Sequence, residues 1–360
     1  MIWRTRTAQP HFPSGPNHGM KTAQLFAIAA AFLAGSATAA PPGHAFQDKA
    51  VENYDIRSEN EQDTPSGVAA YRARVATANP TATPAATSTP TPTPTPSEPK
   101  TLNISTRLRV ETGDNVLIGG FIITGTAQKS IAVRGLGPSL AQVGVSDALA
   151  DPTLELHVSN GGITLVESND DWQDNAFQAA QLTALGLGLP DPRESGLVAL
   201  LDPAYSFTTI LAGKNGGTGV GLIEIYDTDQ TAASELANIS TRGFVRTGNN
   251  VMIGGFILGG SLNTHVVARG IGPFLANYGL SPVLADPTLE LHDSNGALLV
   301  ANDNWGDAPW AQQLIDLGLA PPDAVDPGIY ISLPPGPFTA ILAGKNNGTG
   351  IGLIEIYNVH

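Results

Sequence analysis

Two acidic turns carry the residue types best suited to chemistry. Asn169-Asp170-Asp171 and Asn302-Asp303-Asn304 occupy matching places in the chain, and Asp293 and Asn295 lie in a hairpin just before the second of them. A Ca²⁺ ion needs about six to eight oxygen ligands. Asp170, Asp171, Asp293, Asn295 and Asp303 could supply several of these, with the second cluster favoured because Val158 stands where Asp293 has its counterpart. The same side chains also close turns and cap helices. The spacing is compatible with either use, and no other cofactor is indicated.

Other constellations offer less. His157 and His292 end two copies of a TLELH strand, and alternation places each beside Glu155 or Glu290 on the face opposite the leucines. One His and one Glu per copy are too few for a metal site. The run Gly213-Lys-Asn-Gly-Gly-Thr-Gly219 lacks the P-loop's first glycine, since position 208 is Thr, and has Asn215 where Ser or Thr is required. It reads as a hairpin turn in which Asn and Gly supply positive φ. Arg134-Gly-Leu-Gly-Pro138 is no dinucleotide fingerprint. No serine has a nucleophile-elbow setting. Asp170 and Asp171 could in principle act as a glycosidase pair, but nothing else marks a cleft around them. Trp172, Trp305 and Trp310, helped by Tyr205, Tyr278 or Tyr330, could form a sugar-stacking platform or pack a helix onto a sheet. In GLIEIY, alternation sets Glu224 between Leu222 and Tyr226, and Glu355 between Leu353 and Tyr357. A carboxylate so flanked is either solvated or buried with a partner. The expected partners are Arg134 for Glu224 and Arg269 for Glu355, with Arg107 and Arg242 as the other basic residues on strands in both copies.

The elements that hold these residues repeat. Asn103–Arg107 returns as Asn238–Arg242, Leu149–His157 returns unchanged at Leu284–His292, and Gly221–Tyr226 returns unchanged at Gly352–Tyr357. The offset slips from 135 to 131 residues, and the slips fall in Gly-, Asn- and Asp-rich stretches, so the strands stay intact. Each copy alternates short β-type runs with turn signals. In the first, strands are predicted near 102–110, 115–124, 128–134, 152–158, 162–167, 196–200, 205–213 and 219–227. One helix is predicted in 173–186, with its partner at 308–319. The fold class is all-β: two tandem antiparallel β-sandwich or jelly-roll domains, 101–230 and 236–360, each with one short helix.

These residues resemble a tandem repeat of large exported bacterial proteins. Its look is STRG…NVLIGGFI…RGLGPSL…DPTLELHDSNG…NDNW…LAGKNGGTGVGLIEIYD. The second half of each copy is also loosely similar to the pre-peptidase C-terminal-like β-sandwich modules of secreted peptidases, which implies a non-catalytic binding role.

Composition fits an exported chain. There are 18 basic and 32 acidic residues, a formal charge of −14, and no cysteine. Such a surface repels nucleic-acid phosphates, and disulfide or thiolate chemistry is excluded. Residues 20–39 read as a signal peptide with cleavage after Ala39, and 1–19 as an upstream gene-model extension. Residues 40–76 are expected to be disordered, and 77–100 form a Thr/Pro-rich linker. No membrane span is expected in the mature chain. The reading is a non-catalytic structural or adhesion module at the outer cell surface or beyond it. Its partners would be extracellular polysaccharide or a matrix protein. A glycan-binding accessory module is the alternative, and a hydrolase with an unrecognised site is a third.

Overall fold

A computed structural model describes residues 97–359. The expected upstream extension, signal peptide, 40–76 stretch and all but the end of the Thr/Pro-rich linker lie outside them.

Sixteen strands account for the described fold. The first copy contributes β1 (Lys100–Val110), β2 (Leu117–Gly125), β3 (Lys129–Leu136), β4 (Pro152–Ser159), β5 (Ile163–Asn169), β6 (Ser195–Leu201), β7 (Ser206–Gly213) and β8 (Gly219–Asp227). The second contributes β9 (Ser234–Val245), β10 (Met252–Gly259), β11 (Thr264–Ile271), β12 (Pro287–His292), β13 (Leu298–Asn302), β14 (Gly328–Leu333), β15 (Gly336–Gly344) and β16 (Gly350–Val359). The helices are α1 (Ala176–Ala184) and α2 (Ala311–Asp316). The strands form because β-branched and large apolar residues alternate with polar ones. The side chain of Asn175 starts α1 by accepting from the amides of Phe177 and Gln178.

These strands make two eight-stranded antiparallel sheets. One runs β13-β12-β15-β10-β1-β8-β3-β6 and the other β14-β11-β16-β9-β2-β7-β4-β5. Inward side chains of both sheets meet in one core, which includes Ile104, Phe121, Ile223 and Leu236. In each copy a stacked phenylalanine pair lies in it, Phe121 on Phe207 at 5.4 Å and Phe256 on Phe338 at 5.5 Å. Such pairs add roughly 0.5–1.5 kcal/mol beyond their burial. Smaller apolar clusters lie outside the sandwich. Trp172, Leu182 and Leu189 pack with Leu136 and Leu140 in the first copy, and Leu314 and Leu319 with Val267 and Tyr357 in the second.

Two features differ from the sequence expectation. Only β4–β5 and β12–β13 are hairpins between neighbouring strands. Every other connection crosses from one sheet to the other, the Gly213–Gly219 loop between β7 and β8 included, so that loop is no hairpin turn. The copies also do not stand as separate bodies. β1 pairs with β10 in one sheet and β9 pairs with β2 in the other, so both sheets run unbroken from one copy into the next. The described residues, 97–359, group together in one compact unit.

Candidate functional site

The acidic turns are the first place where the chain concentrates polar side chains, and both are occupied from within. The loop after β7 requires Gly213, because a Cβ there would meet the Gly217 carbonyl oxygen at 2.1 Å. It then turns through Asn215 at φ 55° and Gly216 at φ 75°. That path swings Lys214 into the acidic turn. Its Nζ lies 2.8 Å from Asp170, 3.8 Å from Asp171 and 3.9 Å from Asp151. In the second copy Lys345 Nζ lies 2.7 Å from Asp303 and 3.8 Å from Asp286. The ammonium therefore stands where a cation would. Asp303 is held below the usual carboxylate range by its bond to Lys345, and Lys345 is raised in return. Lys214 is raised likewise by Asp170.

The five residues considered for Ca²⁺ are not gathered into one site. Asp170 and Asp171 join Asp174 in the single acidic group among the described residues whose oxygens could reach one ion. Asp293 accepts from the amides of Asn295 and Ala297 at 2.8 and 2.9 Å, which closes the β12–β13 turn. The turn-capping use accounts for Asp293, and the lysine accounts for Asp303.

The other sequence candidates also find partners. His157 lies 2.8 Å from Glu155 and His292 lies 2.9 Å from Glu290, each along its own strand. Trp172 is 7% exposed. Trp305 and Trp310 are half-buried and donate their ring N–H to the carbonyls of Asp323 and Gly328. Tyr330 stacks on His265 at 5.1 Å. The three tryptophans thus hold the helical segments to the sheet and present no sugar platform.

The structure brings Arg134 and Glu224 together, and Arg269 and Glu355. Each pair sits directly opposite across neighbouring strands. Arg269 Nε is 2.6 Å from Glu355 Oε2, while Tyr357 donates its hydroxyl to Oε1 at 2.9 Å and Arg269 also bonds the Leu319 carbonyl. Arg134 Nε is 3.4 Å from Glu224. Burial raises the Glu224 carboxyl, opposed by Arg134. Tyr226 is pushed up to about 12, first by burial and then by Glu224.

Three buried groups have no sequence motif to reveal them. Glu194 accepts from the amides of Gly137 and Ser139 and from the Ser139 hydroxyl, pinning the turn after β3. Asp326 does the same for Gly272 in the second copy, and burial pushes it up to about 7. Lys129 and Asp227 form a fully buried ion pair at 3.0 Å. Thr264 and Asn358 replace that pair in the second copy, hydrogen-bonded at 2.7 Å.

At the joint, equivalent residues meet. Thr106 and Thr241 lie at matching positions of the two copies, and their hydroxyls are 2.8 Å apart where β1 faces β9. Glu111 and Arg246 are likewise equivalent, and they form an ion pair. An approximate two-fold axis thus passes between the threonines, and opposite charges at one repeat position let the halves pair.

No family model matches the chain, and no curated protein matches it. Among solved structures, the STIV MCP aligns at 14% identity over 73% of this chain and 90% of its own, with a TM-score of 0.20. A DUF4785 family protein from Legionella pneumophila aligns at 10% identity over 73% and 83%, with a TM-score of 0.18. At TM-scores this low, neither bears on the function of this chain. Among the described residues, no helix is long and apolar enough to cross a membrane.

Proposed function

We propose that this chain is an exported, non-catalytic structural or adhesion module. Each repeat is a jelly-roll unit, and the two are fused edge to edge into one rigid body held outside the cell behind the Thr/Pro-rich spacer. The observation that carries this reading is the neutralisation of the acidic turns. Lys214 and Lys345 fill both clusters in the same way, so carboxylates that could have served as acid, base or metal ligand instead fasten a loop. Rigidity suits a spacer or adhesive element, in which each copy offers one face and two copies give avidity. Resemblance to repeats of exported bacterial proteins supports the placement outside the cell.

The test is a glycan and matrix-protein array probed with the full chain, run beside a panel of ester, peptide and glycoside substrates. The reading expects retention on the array without turnover. Turnover that disappears in Asp170→Asn would contradict it and restore the hydrolase reading. Mass spectrometry of exported material checks the placement, with a mature N-terminus expected near Ala40.

A further inference from the structure

Arg107 and its twin Arg242 occupy equivalent positions on β1 and β9, but their surroundings differ. Arg242 is 1% exposed. Burial disfavours its charge, and Asp114 from the other copy favours it. Asn249 stands at the position equivalent to Asp114 and faces Arg107. Arg107 reaches only the Asn249 backbone carbonyl, at 3.5 Å, and no carboxylate among the described residues pairs with it. One aspartate-to-asparagine difference between the copies thus accompanies a guanidinium to which no carboxylate among the described residues is bonded.

Arg107 opens onto a cleft of about 460 Å³ that spans both copies, lined also by Val143, Ser146, Asp147, Asn249 and Asn250. The second copy has Tyr278 and Pro282 where Val143 and Asp147 stand, and Leu280, opposite Val145, packs there with Phe244 and Phe274. Large apolar side chains thus crowd the place around the twin. In the open cleft, the side chains of Ser146, Asn249 and Asn250 make no hydrogen bond to any described residue. Asp147 holds Arg109 yet stays 59% exposed.

We propose that this cleft binds a carboxylate-bearing sugar, the uronate ring of an acidic polysaccharide. Arg107 takes the carboxylate, since its planar fork can bond both oxygens. Ser146, Asn249 and Asn250 both donate and accept, as ring hydroxyls require, and Asp147 accepts. Val143, 78% exposed, offers apolar surface to the C–H face of the ring. The volume falls within the range of small-ligand sites, about 300–1,000 Å³. Asp147 in the same cleft repels any anion, a phosphate dianion more strongly than the single charge of a uronate. The proposal goes beyond the scaffold reading and does not depend on it.

The experiment titrates the full chain with a trimer of galacturonate, followed by saturation-transfer NMR, beside a neutral trimer and inorganic phosphate. The trimer is expected to bind, more weakly at high salt, and the neutral sugar is not. Arg107→Gln should weaken binding at least tenfold. Asn249→Asp, a change at an exposed position that recreates the twin's electrostatics, should weaken it comparably with the thermal midpoint unchanged. No binding of the trimer up to about 10 mM would overturn the proposal, as would binding that survives both substitutions. Phosphate binding as tightly as the trimer would also overturn it, marking a general anion site.

Discussion

Glu355 lies 2% exposed, with Arg269, Tyr357 and Ser240 around its carboxylate. Removing one partner of such a pair leaves the other charge buried, which costs about 3–5 kcal/mol. Glu355→Gln should therefore lower the denaturant midpoint strongly. Glu224→Gln should cost less than Glu355→Gln, because Arg134 Nε and Glu224 Oε2 stand 3.4 Å apart with no hydrogen bond between them. Equal losses at both sites would contradict this ranking. Asp326 gives a pH test. Burial raises it to about 7, opposed by the Gly272 amide and Arg269 and assisted by Asp323. Its folded pKa lies above its unfolded value, so the folded state holds an extra proton between about pH 4 and 7. Stability from this group is therefore complete below about pH 4 and lost as pH rises through 7. Asp326→Asn should flatten that part of the profile, and parallel profiles for the two proteins would refute it. The Glu–Arg pairs were legible in the sequence because alternation alone sets Glu224 and Glu355 between apolar neighbours. Lys129 with Asp227 was not, because Thr264 and Asn358 hide the pair when the copies are compared. Nor was Lys214, whose carboxylates arrive from distant parts of the chain.

At the scale of elements, the strands were legible and their pairing was not. Predicted and observed strands agree to within three residues at their ends in the first copy, since period-two alternation is a local property. Pairing is local only where neighbouring strands form a hairpin, and each copy has one such hairpin. All the rest depends on contacts between distant residues. The loop after β7 shows how an element can be read correctly in conformation and wrongly in role. Asn215 and Asn346 do take positive φ, at 55° and 54°, but the turn crosses between sheets and delivers a lysine. With that ammonium in place, neither 5 mM Ca²⁺ nor EDTA should move the thermal midpoint of the protein. Lys214→Met should leave stability nearly unchanged, since the pair is exposed and screened by solvent. The same substitution should let Ca²⁺ raise the midpoint by uncovering Asp170, Asp171 and Asp174. A midpoint that falls on adding EDTA to the unaltered protein would show that the lysine does not fill the site.

At the scale of the whole molecule, the joint between the copies decides what kind of object this is. Its central strands, β1, β2, β9 and β10, look like interior strands of independent sandwiches when each copy is read alone, so the sequence repeat suggested two domains. Separating the copies would strip the backbone partners from an edge in each sheet, and unpaired sheet edges are prone to unwanted association. The joint also carries its own specificity. Glu111 faces both Arg246 across the joint and Arg109 at the end of β1, 3.7 Å away. Glu111→Arg would therefore oppose both and should cost about 1 kcal/mol, with Arg246→Glu restoring only the part due to the joint in the double variant. The most direct measurement inserts a protease site between Gln230 and Thr231, both exposed in the link from β8 to β9, and cuts the folded protein. If the copies form one body, the nicked halves will co-elute on gel filtration at the size of the uncut chain and unfold in one transition. Halves that elute apart, each with its own cooperative transition, would contradict it.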